Sequence, residues 1–149
     1  MQILTVPKYE KKLRQKSNNL NIDLIATADM QKFFEELGKT MLAANGLGLA
    51  APQVAQQIRV IAVNINGQAH IFINPNITKK SLLKNTAEEG CLSVPGRYGK
   101  VKRHKKITLV YLDENGQKQR KKFMGLASRV IQHEINHLDG ILFIDKLIK

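Results

Sequence analysis

Residues Leu126 to Gly140 read LASRVIQHEINHLDG. Leu126, Val130, Ile131, Ile135 and Leu138 recur at helical spacing, and Gly140 supplies a stop. Inside this helix lies an H-E-x-x-H motif. His133 and His137 are one turn apart, so both rings leave one face and can hold a divalent metal. Glu134 sits about 100° round the helix, too far off-axis for a natural third ligand. It can instead reach a metal-bound water and act as a general base. The chain has only four His. Its composition alone would give this motif in about 0.5% of such sequences, which weighs against two exposed histidines beside a surface glutamate.

Working outward, Met30, Phe33, Phe34, Leu37, Met41 and Ala44 also recur at helical spacing. They predict an earlier helix over 29–45, with Asp29 as N-cap and Asn45-Gly46 as its end. Between the helices the pattern becomes that of strands. Ile58 to Ile65 is rich in Ile and Val, Asn66-Gly67 is a hairpin signal, and His70 to Ile77 reads as the partner. Ile107 to Leu112 is another strand. Asp113 to Gly116 makes a turn, and the polar stretch Gln117 to Met124 reads as an edge strand blunted by charge. Residues 7–28 read as irregular. A strand-rich middle with a helix near each end is α+β: mixed or antiparallel sheets packed around the H-E-x-x-H helix.

The whole chain, 149 residues, is expected to form one domain. Its single Cys excludes an internal disulfide and fits a reducing compartment. No apolar run approaches the roughly 18 residues of a membrane span, and residues 1–16 lack the apolar core of a secretory signal. The expected location is the cytoplasm, or an organelle lumen if a transit peptide has been removed. The net charge of +12 points to an acidic neighbour such as nucleic acid or a ribosome, or to a well-solvated lysine-rich surface.

Two histidines need a third ligand. Cys91 lies in Glu88-Glu89-Gly90-Cys91-Leu92-Ser93-Val94-Pro95. An isolated free cysteine is most often a small buried hydrophobe. Beside H-E-x-x-H the balance reverses, because one Cys and two His leave a fourth position open, the pattern of a catalytic site. His70 and His104 are the other possible ligands, and their surroundings suit surface roles.

Gly46-Leu47-Gly48-Leu49-Ala50-Ala51-Pro52-Gln53 follows the first helix. It lacks the Lys-Ser/Thr of a phosphate loop. Its small residues suit close approach of another backbone, such as an extended peptide, and Gln53 can donate an amide hydrogen bond to a substrate oxygen. A helix cap with a solvent-facing Gln53 is the plainer reading.

Gly46 to Gln53, Glu89 to Ser93 and Gln132 to Gly140, in this order, resemble the three signature motifs of peptide deformylase, G-x-G-x-A-A-x-Q, E-G-C-L-S and Q-H-E-x-x-H-L. The resemblance runs from about Ile3 to Leu147. It implies that Cys91, His133 and His137 hold one metal ion, typically Fe²⁺, with Zn²⁺, Ni²⁺ or Co²⁺ as substitutes. It implies that Glu134 moves a proton from water to the leaving amine, and that the Gln53 side chain and the Leu92 N–H stabilise the formyl oxygen. Gly46 and Gly48 would meet substrate backbone. Val130, Leu92 and the aliphatic stem of Arg129 would wall a methionine pocket. Glu89 would pair with Arg103 behind the ligands. The implied reaction frees formate from N-formylmethionyl nascent peptides, in a monomeric enzyme.

The chain departs from the family pattern in places. Asn136 stands where Asp is usual, which implies a changed hydrogen bond beside the metal. The segment Pro7 to Leu13 is longer than usual. The sequence given stops at Lys149, without the C-terminal helix that meets the ribosome in many bacterial members. The basic stretches Arg97 to Lys106 and Lys118 to Lys122 are the expected substitute contacts. A metallopeptidase of another specificity and a silent RNA-binding module are the competing readings. E-G-C-L-S argues against the first, and the lack of an aromatic platform around Tyr98 and Tyr111 against the second.

Overall fold

The computed structural model describes residues 1–149. Helix α1 (Glu10–Leu13) and helix α2 (Ala28–Ala43) come first. Strands β1 (Gly48–Ala50), β2 (Val60–Ile65) and β3 (Gln68–Lys80) follow. Next are β4 (Lys84–Cys91), β5 (Val94–His104), β6 (Lys106–Leu112) and β7 (Lys118–Met124). Helix α3 (Gly125–Leu138) carries H-E-x-x-H, and a 3₁₀ turn (Phe143–Lys146) lies near the C-terminus. No helix is long and apolar enough to cross a membrane.

The five-stranded sheet has the order β1-β2-β3-β6-β7, antiparallel throughout, and β4 and β5 form a separate two-stranded sheet. The apolar run of β2 is legible from this arrangement. Successive side chains on a strand point to opposite faces. Val60 and Ala62 pack with Phe34, Leu37 and Met41 of α2. Ile61 and Val63 pack with Val130, Ile131, Ile135 and Leu138 of α3. A helix covers each face, so an uninterrupted apolar strand is what burial requires. On the α2 side the approach is close: a Cβ on Gly38 would lie 2.8 Å from Ala69 Cβ.

Two expectations at α2 are corrected. The N-cap is Thr27, not Asp29. Thr27 has extended backbone, and its Oγ1 accepts a hydrogen bond from the Met30 N–H at 3.3 Å. Asp29 sits in the first turn, where its charge suits the helix dipole. The helix ends at Ala43, and Asn45 takes the left-handed conformation (φ 56°) that closes it. Residues 7–28 are not wholly irregular either, since they hold α1 and a 3₁₀ turn at Ile22–Leu24. The edge strand expected at Gln117 to Met124 is present as β7, pairing Leu109 with Lys121.

The hairpin of β4 and β5 escaped the sequence reading. Its strands, KNTAEEGC and VPGRYGKVKRH, show little apolar alternation because they join neither main core cluster. Their only buried apolar residues are Val94 and Val101, packed against Phe143.

A metal-ligand cluster on two elements

Helix α3 ends in a motif that fixes the register of its last turn. Ile141 N donates to Asn136 O at 2.8 Å and Gly140 N to His137 O at 3.1 Å, with Gly140 at φ +75°. One turn earlier His133 and His137 leave the same face, both buried. Cys91 arrives from the other body, at the end of β4, where pairing with β5 shifts register after Gly90. A Cβ on Gly90 would lie 2.6 Å from the Tyr98 ring, so a larger residue there must push that exposed ring aside.

The ligand atoms of Cys91, His133 and His137 lie within 4.8 Å of one another. Cys91 Sγ is 3.2 Å from His137 Nε2. His133 Nδ1 faces Glu89 Oε1 at 2.8 Å, which leaves Nε2 as the free donor. One sulfur and two imidazole nitrogens at this spacing fit a divalent transition metal. The Phe143 ring stacks on His133 with centroids 5.9 Å apart and 26° between planes.

Behind the ligands lies a buried ionic cluster. Arg103 Nη2 and Nε donate to the two Glu89 oxygens at 2.9 and 3.0 Å, and Arg103 Nη1 donates to Asn136 Oδ1. Arg129 Nη1 also reaches Glu89, at 2.6 Å. Burial pushes the Glu89 carboxyl up, but hydrogen bonds from His133 and Arg103 outweigh it and hold Glu89 well below the usual carboxylate range. Burial likewise opposes charge on His133, yet Cys91 and Glu89 raise its pKa to about 10. Burial drives His137 well below its usual value, so that ring is neutral.

Glu134 is buried beside the ligands, and its Oε2 has no hydrogen-bond partner. Burial pushes its carboxyl up to about 7, against the pull of His133 and Arg103. Its seat depends on Gly48, where a Cβ would lie 2.5 Å from Glu134 Oε1. Gly46 makes similar room for Leu92, whose Cδ1 would be 2.9 Å from an added Cβ. Gln53 is buried, not solvent-facing. Its Oε1 accepts from Ala50 N at 2.9 Å, and its Nε2 donates to Ser93 Oγ at 3.0 Å and points at Cys91 Sγ, 3.7 Å away. The Leu92 N–H, in the turn between β4 and β5, donates to no other group of the chain.

These groups open on a cleft of about 470 Å³ lined by Gly46, Gly48, Gln53, Glu89, Cys91, Leu92, Arg129, Val130, His133 and Glu134. Every residue expected at the substrate site is therefore here, while Arg103 stands behind it. Arg129 lines the cleft, and its guanidinium is tied up in the ionic cluster. His70 is exposed and His104 is half-buried with Nδ1 on Ser81 O at 2.8 Å, so neither joins the ligands. The reading of single motifs missed Leu47, Tyr98 and Leu126, which are half or more exposed and line the same cleft. Leu126 was findable, since it precedes Val130 and His133 by four and seven residues on one helix face.

A two-sheet α+β fold with a Cys-His-His cluster and a buried glutamate on H-E-x-x-H defines a metal-dependent hydrolase. The sequence matches the family described as Polypeptide deformylase over residues 1–149. The peptide deformylase of Treponema pallidum (strain Nichols) is 44% identical over 118 residues, 79% of this chain and 73% of its own. The crystal structure of a probable peptide deformylase from Synechococcus phage S-SSM7 superposes with a TM-score of 0.89 at 40% identity, covering 99% of each chain. A Met-Ala-Ser bound class I type b peptide deformylase from Acinetobacter baumannii gives 0.92 at 30% identity, over 99% of this chain and 98% of that one. The chain belongs to the polypeptide deformylase family, metal-dependent hydrolases that remove the N-formyl group from nascent polypeptides.

Proposed function

We propose that Cys91, His133 and His137 hold one divalent ion, Fe²⁺ in the cell with Zn²⁺, Ni²⁺ or Co²⁺ as substitutes, and that Glu134, Gln53 and the Leu92 N–H perform the hydrolysis beside it. The observation that carries this reading is the gathering of three ligand atoms within 4.8 Å at a cleft that also holds Glu134 and Gln53. Bound there, the ion would supply a Lewis acid and bring the acidity of water toward neutral pH. Glu134 takes a proton from the water whose oxygen bonds to the formyl carbon. It gives that proton to the methionine nitrogen as the C–N bond breaks, leaving formate and a free amino terminus. The Gln53 amide and the Leu92 N–H donate to the formyl oxygen as it gains charge. Gly46 and Gly48 keep the cleft floor open to substrate backbone. Leu92, Val130 and the Arg129 stem give the methionine side chain an apolar wall. The Met-Ala-Ser bound by the Acinetobacter relative supports a peptide of this kind as substrate.

The test is formate release from N-formyl-Met-Ala-Ser, with N-acetyl-Met-Ala-Ser beside it, by protein loaded with Fe²⁺ under anaerobic conditions. The formyl peptide is hydrolysed in preference to the acetyl one, and Glu134→Ala lowers kcat by about 10²-fold or more. Undiminished turnover in Glu134→Ala contradicts the assignment of the base.

The same reading makes the chain a single-domain, monomeric cytoplasmic enzyme, or an organellar one where a transit peptide has been removed, that meets the ribosome through its basic surface. Of the basic side chains in Arg97 to Lys106 and Lys118 to Lys122, only Arg103 is in an ion pair. Unpaired surface cations favour a polyanion. Replacing Lys118, Arg120, Lys121 and Lys122 with glutamine should weaken co-sedimentation with ribosomes and flatten its salt dependence. Unchanged co-sedimentation contradicts this contact.

A further inference from the structure

The metal ligands come from two bodies. Cys91 is on the β4–β5 hairpin, which shares no strand pairing with the five-stranded sheet, and His133 and His137 are on α3. The spacing of sulfur and nitrogens is set by whatever fastens hairpin to helix. Apolar packing contributes the Phe143 ring, which packs with Val94 and Val101 and stacks on His133, but the cluster itself includes no residue of α3. The rest of the fastening is polar, and Arg129 reaches furthest into it. From α3 its guanidinium touches both strands. Nη1 donates to Glu89 Oε2 at 2.6 Å and to the Val101 carbonyl at 2.9 Å. Nη2 donates to the Asn85 carbonyl and to Asn85 Oδ1, both at 2.8 Å.

Charge balance does not require this residue. Glu89 already has both oxygens engaged by Arg103. Three of the four Arg129 contacts go to neutral acceptors on Asn85 and Val101. A planar fork with five donors can span two strands at once, which no other side chain does as well. We propose that Arg129 is a positioning residue that latches the Cys91 hairpin onto the His133–His137 helix and so sets the ligand spacing on which metal retention and turnover depend. This rests on the metal-centre reading above and adds to it the part that holds the two halves together.

The test compares Arg129→Met and Asn85→Ala with the parent, all loaded with Zn²⁺. Methionine keeps an aliphatic stem at the cleft and leaves Glu89 paired with Arg103. Three quantities are measured: the rate of metal loss to a chelator, kcat and KM separately on N-formyl-Met-Ala-Ser, and the melting temperature with and without metal. Groups that orient metal ligands change affinity or activity by about 10–100-fold. Arg129→Met is expected to lose metal faster by about that factor and to lower kcat, with KM within about threefold of the parent. Its melting gap between loaded and metal-free protein narrows. Asn85→Ala moves the same way by a smaller factor. Metal loss at the parental rate in Arg129→Met, with only a lower melting temperature, overturns the proposal. If that variant does not fold, metal loss at the parental rate in Asn85→Ala overturns it instead. Failure of the parent to retain metal would sink the metal-centre reading itself.

Discussion

A methyl group on Gly48 would sit 2.5 Å from Glu134 Oε1, inside any real contact distance. The side chain absent at Gly48 is thus what seats the carboxylate. General acid–base groups contribute about 10²–10⁴-fold to rate, so displacing one should cost at the low end of that range or more. Gly48→Ala is expected to lower kcat by about 10²-fold while the far-ultraviolet circular dichroism and metal content stay those of the parent. Steady-state kinetics with metal analysis checks it, and a variant with parental kcat contradicts the packing account. The same residue shows how far local pattern could go. The motif around Gly46 and Gly48 suggested an approaching substrate backbone; within the chain itself, the side chains of Leu92 and Glu134 come nearest to an added Cβ. That distinction depends on what lies across the cleft, which no single stretch of sequence contains.

Between elements, the end of α3 is the tightest joint. Gly140 is at φ +75°, and a Cβ there would lie 2.3 Å from the Arg14 carbonyl oxygen. Strain plus collision should cost Gly140→Ala about 3 kcal/mol. For a domain of this size that is a fall in melting temperature of roughly 6–12 °C. A fall under about 2 °C, measured on the metal-loaded protein, contradicts it. Arg14 also ties α1 to the C-terminal 3₁₀ turn through Asp145, at 2.8 Å. The hydrogen bond from Arg14 lowers the Asp145 pKa. A carboxyl lowered on folding stabilises above its unfolded pKa, about 3.9, and the gain is lost as pH falls through the lower folded value. Both side chains are more than a third exposed, so Asp145→Asn costs under about 1 kcal/mol at pH 7. The melting difference from the parent should shrink as pH falls below the unfolded carboxyl value of about 3.9; a difference that does not shrink there contradicts the assignment. The elements themselves were unevenly legible. Helix α3 and strands β2 and β6 bury apolar faces, so their periodicity is written in Val130, Ile131, Ile61 and Leu109. The β4–β5 hairpin is held by Glu89, Arg103 and Arg129, and ionic contacts between distant segments leave no periodic trace. Phe143, stacked on His133 from the far end of the chain, was invisible for the same reason.

At the scale of the whole molecule, the metal site is also a staple between the β4–β5 hairpin and helix α3. A ligand that binds only the folded state stabilises it by about 2.7 kcal/mol at a hundred times its dissociation constant. Removing the metal by chelation is therefore expected to lower the melting temperature by roughly 5–11 °C, and restoring it to reverse the change. An unchanged melting temperature would mean that the site contributes nothing to holding hairpin and helix together. The central claim is narrower: Cys91, His133 and His137 bind one ion together. The most direct test is the absorption spectrum of the protein during anaerobic titration with Co²⁺, beside Cys91→Ala. The account predicts a thiolate-to-cobalt charge-transfer band that saturates at one equivalent and is absent from the Cys91→Ala titration. A titration without that band in the parent, or with the same band in Cys91→Ala, would contradict it.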